Sequence, residues 1–264
     1  MYPVLIHIGP FTLATYGVLV AAGYLSGILW LKSQIARMPA MDEDKFWTLV
    51  YSLFFGAIAG GKILFILVSL PDVLAGRIHL IRDFRYGFVF FGGLLGSMIA
   101  GVWAVRKLNI PYLGTADYFG VALPLGHSIG RLGCLASGCC YGKPTSLPWA
   151  VKLGGSPFST TPEDLWGVPL HPTQVYESLA NLAIFLAMWK LLLPRVQRGR
   201  LAPGTVFLSY VTLYSCARFV IEFLRGDDRG WQAGGLWVSQ WVAIACVLGC
   251  AAAIAARARR ARTA

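Results

Sequence analysis

Seven stretches of mostly apolar residues recur along this chain, near 12–31, 47–70, 88–105, 115–135, 173–193, 204–224 and 238–256. A helix needs roughly 20 such residues to cross the hydrocarbon core of a bilayer. In lipid each backbone N–H and C=O must find its partner inside the protein, so segments of this kind become helices. The expected fold is therefore an all-α polytopic membrane protein of about seven transmembrane helices, a single domain over 1–264. Composition agrees: 56% of residues are hydrophobic and 13% charged, with a mean hydropathy of +0.62, outside the range of soluble globular domains. The first stretch lacks a basic leader and a small-residue cleavage pattern, because Leu29, Trp30 and Leu31 run straight into Lys32. It reads as a retained span rather than a signal peptide. No internal repeat is visible. The longest connection, about 136–172, holds Gly, Pro, Ser and Thr clusters and reads as an ordered extracytoplasmic loop.

The net charge of +11 does not point to nucleic acid, since the basic residues are spread between spans. They report orientation instead. With the N-terminus outside, the inner segments hold thirteen: Lys32, Arg37, Lys45, Arg106, Lys107, Lys190, Arg195, Arg198, Arg200, Arg257, Arg259, Arg260 and Arg262. The outer segments hold seven: Arg77, Arg82, Arg85, Lys143, Lys152, Arg225 and Arg229. The positive-inside rule then favours N-out and C-in.

That orientation brings the polar residues of the spans to one depth. Tyr16-Gly17 begins the first span, Phe91-Gly92-Gly93 the third, and His171 to Glu177 the fifth; Arg131 and Cys134 end the fourth, Arg218 and Glu222 the sixth. All fall toward the outer side. A charge in hydrocarbon costs about 2.5–3.5 kcal/mol on insertion scales, so charges held in spans mark a protein interior or an aqueous cavity. Arg218 and Glu222 stand four apart, a spacing that allows an ion pair on one helical face. Arg131 and Glu177 lack a local partner and are expected to join the same network. His127, Arg131 and Cys134 follow an i, i+4, i+7 spacing and share a stripe.

Six cysteines occur. Cys216, Cys246 and Cys250 lie within spans and read as small apolar packing residues. Cys139-Cys140 lie close to Cys134, on the side that is oxidising in a bacterium. Two readings stand: a disulfide from Cys134 to one of the pair, or free thiols lining the site. The spacing, without a second CxxC pair, argues against zinc, and no metal ion or cofactor is expected.

The motifs taken in order are His7-x-Gly9 with Tyr16-Gly17, Gly60-Gly61-Lys62, Gly92-Gly93-Leu94-x-Gly96, Gly130-Arg131-Leu132-Gly133, Gly138-x-x-x-Gly142, His171-Pro-x-Gln174-x-Tyr176-Glu177 and Arg218-x-x-x-Glu222-x-x-Arg225. Over nearly the whole chain this series resembles the prolipoprotein diacylglyceryl transferases. Those are bacterial multi-pass enzymes of the cytoplasmic (inner) membrane that move diacylglyceryl from phosphatidylglycerol to the lipobox cysteine of a prolipoprotein. The partners that the resemblance implies are phosphatidylglycerol, the signal peptide and lipobox of prolipoproteins, and membrane lipid. This sequence departs from the usual signature at three positions. Phe91 replaces the histidine of His-Gly-Gly, Cys134 replaces an asparagine, and Cys139 replaces a glutamate. The Gly-Cys-Cys-Tyr-Gly form, 138–142, resembles a divergent branch in which His127 stands as the substitute base.

The implied reaction joins a thiol sulfur to the C3 carbon of the glyceryl group and expels glycerol 1-phosphate. The thiolate is the nucleophile, so a base or a nearby positive charge must favour it. The leaving phosphate gains charge, which guanidinium groups stabilise. Arg131 and Arg218 are assigned to the phosphate, Glu222 to orienting Arg218, Tyr16 to the headgroup or ester region, and His127 to the base. Gly92, Gly93, Gly142, Gln174, Tyr176, Glu177 and Lys62 are expected to help bind substrate, as is His171, which is also expected to cap the fifth span. Two other readings remain: a related lipid-group transferase with a different acceptor, and a non-enzymatic carrier that binds an anion. The charges gather toward one side and no inverted repeat is visible, which counts against a carrier.

Overall fold

Each of the seven stretches is helical in the computed structural model, which describes residues 2–9, 11–74, 76, 87–156, 158–228 and 230–263. The long helices are α1 (Thr15–Ser33), α2 (Glu43–Val68), α4 (Phe90–Lys107), α5 (Tyr112–Ser137), α6 (Thr173–Ala187), α8 (Thr205–Glu222) and α9 (Val238–Thr263). Two short helices join them, α3 (Leu70–Leu74) and α7 (Leu193–Gln197). A π-helical turn at Met188–Leu192 links α6 to α7. Pro194 follows it, a residue that removes one backbone donor and crowds the carbonyl four residues earlier, and a wider turn accommodates both effects.

Among the described residues, four helical segments are long and apolar enough to cross a membrane: Thr15–Ser33, Glu43–Val68, Thr173–Gln197 and Val238–Arg257. The other long helices differ in composition. Pro124, Asp117, His127 and Arg131 lie in α5, α8 ends in Arg218 and Glu222, and α4 is only 18 residues long and ends in Arg106 and Lys107. Arg77, Arg82, Arg85 and Arg229, counted above as outer charges, fall outside the described residues, as do the side chains of Arg259, Arg260 and Arg262.

The chain divides into two compact units, one of Met1–Leu31 with Ala116–Ala264 and one of Lys32–Thr115. In the second, α2 starts at Asp42, whose carboxylate accepts from the Lys45 amide at 2.8 Å and so satisfies one of the free donors at the helix start. Small residues then let α2 and α4 touch backbone to backbone. A Cβ on Gly56 would lie 2.7 Å from the Gly96 carbonyl oxygen, and one on Gly60 would meet the Gly92 carbonyl. Gly56-x-x-x-Gly60 facing Gly92-x-x-x-Gly96 is the small-residue spacing that membrane helices use for close approach. Many outward side chains of this pair are apolar, Phe55, Ile63 and Leu95 among them.

In the first unit α1 crosses α5 by the same means. A Cβ on Gly126 would lie 2.9 Å from the Gly23 carbonyl oxygen, and one on Gly133 would lie 3.2 Å from that of Tyr16. The N-terminus of α8 is held from a distance in sequence. Asp117, fully buried, accepts from the Gly204 amide at 2.6 Å and the Phe207 amide at 3.0 Å. A carboxylate there meets both the orphan donors and the positive end of the helix dipole.

Strands are few and short. An N-terminal hairpin pairs β1 (Val4–Ile8) with β2 (Phe11–Ala14). The connection between α5 and α6 is folded around buried Tyr141, Leu153 and Leu170, with β3 (Val151–Lys152) paired to β4 (Pro169–Leu170). A last pair, β5 (Gln232–Ala233) and β6 (Leu236–Trp237), precedes α9.

Candidate functional site

Glu177, in the first turns of α6, is 1% exposed and would be a costly lone charge. Two guanidinium groups answer it. Arg131 of α5 donates from Nη2 to Oε1 at 2.7 Å, and Arg218 of α8 donates from Nη1 to Oε2 at 3.4 Å. Arg218 also reaches Glu222 at 2.7 Å, the i, i+4 pair expected from sequence. The Tyr214 hydroxyl donates to Glu177 Oε1 at 3.4 Å, and His127 Nε2 lies 3.6 Å from the same oxygen. Three helices thus meet on one carboxylate, with two acids facing two arginines. The pairing is local and charge-balanced, yet Arg131 keeps donors in reserve: among the described residues Nε is buried without a partner, and Nη1 lies 3.7 Å from the Cys134 sulfur.

The thiols come next. Cys134, Cys139 and Cys140 are free, and their sulfurs lie within 4.8 Å of one another. Sequence spacing separates Cys134 from the adjacent pair, but the chain turns back after α5 through positive φ values at Gly138 (+78°) and Cys140 (+62°). Cys140 adopts a left-handed backbone that non-glycine residues visit only under constraint. The constraint comes from α6: Gln174 Nε2 donates to the Cys139 carbonyl at 2.7 Å, and Thr173 Oγ1 donates to the Cys140 carbonyl at 2.6 Å. The Tyr16 phenol, at the start of α1, lies near enough to interact electrostatically with all three sulfurs and with Arg131.

Gly142 follows where no side chain fits. Its amide donates to the His171 carbonyl at 3.1 Å, and a Cβ there would lie 2.6 Å from that oxygen and 2.9 Å from the Leu224 carbonyl oxygen. His171 does not cap α6 as expected, because Pro172 takes the cap position with no side-chain hydrogen bond. The imidazole instead lies against the Tyr176 hydroxyl, Nδ1 to Oη 3.3 Å, and that hydroxyl also accepts from Trp149 at 2.8 Å. Arg225 pairs with Asp227 through two bonds of 2.7 and 2.5 Å.

Tyr16, His127, Arg131, Gly142, His171, Gln174, Tyr176, Glu177, Arg218 and Glu222 all belong to the first unit. Lys62, Gly92 and Gly93 belong to the second. There Gly92 packs on Gly60, Gly93 lies under Phe88, and the Lys62 ammonium sits 5.7 Å from the Phe65 ring centre. Tyr214 was not singled out from sequence, although it stands four before Arg218 and so on the same face.

The family model for prolipoprotein diacylglyceryl transferase matches residues 3–256. This chain belongs to that family. A phosphatidylglycerol–prolipoprotein diacylglyceryl transferase of Clostridium tetani is 32% identical over 249 residues, 94% of each chain. One of Geobacter sulfurreducens is 31% identical over 228 residues, 86% of this chain and 83% of its own. One of Clostridium perfringens, designated transferase 2, is 31% identical over 237 residues, 89% and 87% of the two chains. The family match runs through both compact units and includes every residue of the Glu177 network.

Proposed function

We propose that this chain transfers the diacylglyceryl group of phosphatidylglycerol to the lipobox cysteine thiol of prolipoproteins, forming a thioether and releasing glycerol 1-phosphate. That is the first step of lipoprotein maturation. The reading places the chain in the bacterial cytoplasmic membrane as a multi-pass protein, N-terminus outside, with the connection 136–172 on the extracytoplasmic side. The observation that carries it is the pair of buried guanidinium groups converging on Glu177 in a chain of this family. Phosphatidylglycerol is a phosphodiester, and its departing phosphate monoester gains negative charge as the C3–O bond breaks. Guanidinium donors already oriented by carboxylates stabilise that charge without rearrangement.

In this reading Arg131, held through Nη2 by Glu177, presents its other donors to the phosphate. Arg218 assists, with Glu222 and Glu177 fixing its orientation. Tyr16 hydrogen-bonds the ester or headgroup region, and His127 takes the proton of the acceptor thiol. Gln174 and Gly142 hold the Cys139–Gly142 segment in place, and His171 with Tyr176 shapes the adjoining rim. The test is complementation. The chain is expressed in cells depleted of their own transferase, and a reporter lipoprotein is analysed by mass spectrometry for thioether-linked diacylglycerol. Correct membrane insertion without the modified reporter overturns the assignment.

A further inference from the structure

The thiol cluster offers a chemistry that the guanidinium groups do not. Three cysteine sulfurs within 4.8 Å of one another are a soft ligand set. Tetrahedral zinc with bonds of about 2.3 Å places its sulfurs roughly 3.8 Å apart, so small side-chain rotations close the difference. We propose that Cys134, Cys139 and Cys140 bind zinc as a three-thiolate site whose open fourth position takes the sulfur of the acceptor cysteine. The proposal rests on the reading above that the acceptor is a prolipoprotein thiol.

Three further features fit this use. The segment that carries the ligands is pinned: besides the Gln174 and Thr173 bonds, Thr161 Oγ1 donates to the Gly138 carbonyl at 2.8 Å, and Ser137 Oγ lies 3.3 Å from Cys139 Sγ. Ligands held by such surroundings need little reorganisation to bind a metal. Charge is also matched. Three thiolates and a divalent ion leave one negative charge, which faces Arg131 at Cys134 and Arg225 at Cys140. Finally, a metal-bound thiol ionises far more readily than a free one, which supplies the thiolate that the transfer needs.

The step balances without an oxidant. The acceptor S–H loses its proton to His127 as sulfur binds the metal. The thiolate electron pair then forms the S–C3 bond while the C3–O bond breaks, its electrons leaving on the phosphate oxygen. The proton held by His127 goes to the released phosphate monoester or to water. The thioether product is a weak ligand and dissociates, which frees the fourth position.

The full chain, purified in phosphatidylglycerol nanodiscs under reducing conditions, is titrated with cobalt(II) as a spectroscopic zinc substitute. Thiolate-to-cobalt charge transfer at a stoichiometry near one ion per chain is expected. It should weaken at least about tenfold in affinity in Cys134→Ser, Cys139→Ser or Cys140→Ser and stay unchanged in Cys216→Ser. A lipobox cysteine peptide should shift the cobalt ligand-field bands, and its serine counterpart should not. If a thiol variant fails to fold, chelation and re-addition of zinc to the wild-type protein gives the same comparison. No charge-transfer band in the reduced, folded wild type overturns the site, as does a disulfide among the three in protein taken from cells. Equal thioether formation by metal-free and zinc-loaded protein overturns the activating role while leaving the transferase reading intact. A cobalt spectrum that responds to the peptide, without any thioether product, supports the site and defeats the transferase reading instead.

Discussion

The α2–α4 contact and the meeting of α5, α6 and α8 bring helices together by opposite means. In the first, glycines remove side chains until backbone touches backbone. In the second, Glu177 is buried among helices by drawing Arg131 and Arg218 onto itself. Within a bilayer, where lipid tails are as apolar as leucine, close packing and internal polar pairing are the two available sources of helix association. The contrast teaches what each contact cannot tolerate. The glycine contact fails when an atom is added, and the ionic one fails when a partner is taken away.

The largest effect is expected from Glu177→Ala, which leaves two guanidinium groups buried without their shared counter-charge. Breaking a buried pair costs about 3–5 kcal/mol. Thermal unfolding in detergent should drop sharply and transfer should be lost, whereas Glu177→Gln should recover part of the stability and none of the charge balance. Arg131→Lys comes next. It keeps the charge but not the planar fork, so the transfer rate should fall by about 10²–10³-fold, or about 2.7–4 kcal/mol, with a smaller change in unfolding. A larger stability loss than rate loss would mean that Arg131 serves the network alone.

The glycine contact should be next in size. Gly60→Ala places a methyl group against the Gly92 carbonyl and should cost about 1–3 kcal/mol through overpacking, read as a lowered unfolding temperature. If it is neutral, the α2–α4 contact yields enough to admit a methyl group. Tyr214→Phe removes one 3.4 Å hydrogen bond to Glu177 and should cost about 1 kcal/mol. The smallest effect is expected at Asp42→Ala, on the exposed start of α2. The Lys45 amide bond holds the Asp42 carboxyl below its ordinary range, so its contribution is complete at neutral pH. As pH falls through that lowered value the contribution is lost, and variant and wild type should converge in unfolding temperature.

Helices and their order were legible because apolar length is a local property, and every predicted stretch is helical. The Arg218–Glu222 pair was legible for the same reason, since four residues on a helix always share a face. The partners of Arg131 were expected only in outline, because Glu177 lies 46 residues away and no local rule relates the two. His171 misled because a histidine before a helix resembles a cap, while the nearby Tyr176 and Trp149 made a better partner set. The thiols are the sharpest case. Their adjacency was plain, but the closure of all three depended on the left-handed backbone at Gly138 and Cys140 and on the bonds that Gln174 and Thr173 supply.

Hydropathy and short-range spacing survive without coordinates, so the helical, lipid-adapted character of this chain and, through its motif order, its family were readable from residues alone. Tertiary structure alone decided which carboxylate gathers the arginines, which loop turns back on itself and which three sulfurs meet. Those outcomes depend on distances between residues far apart in the chain, set by helix packing and buried hydrogen bonds rather than by any neighbour in sequence.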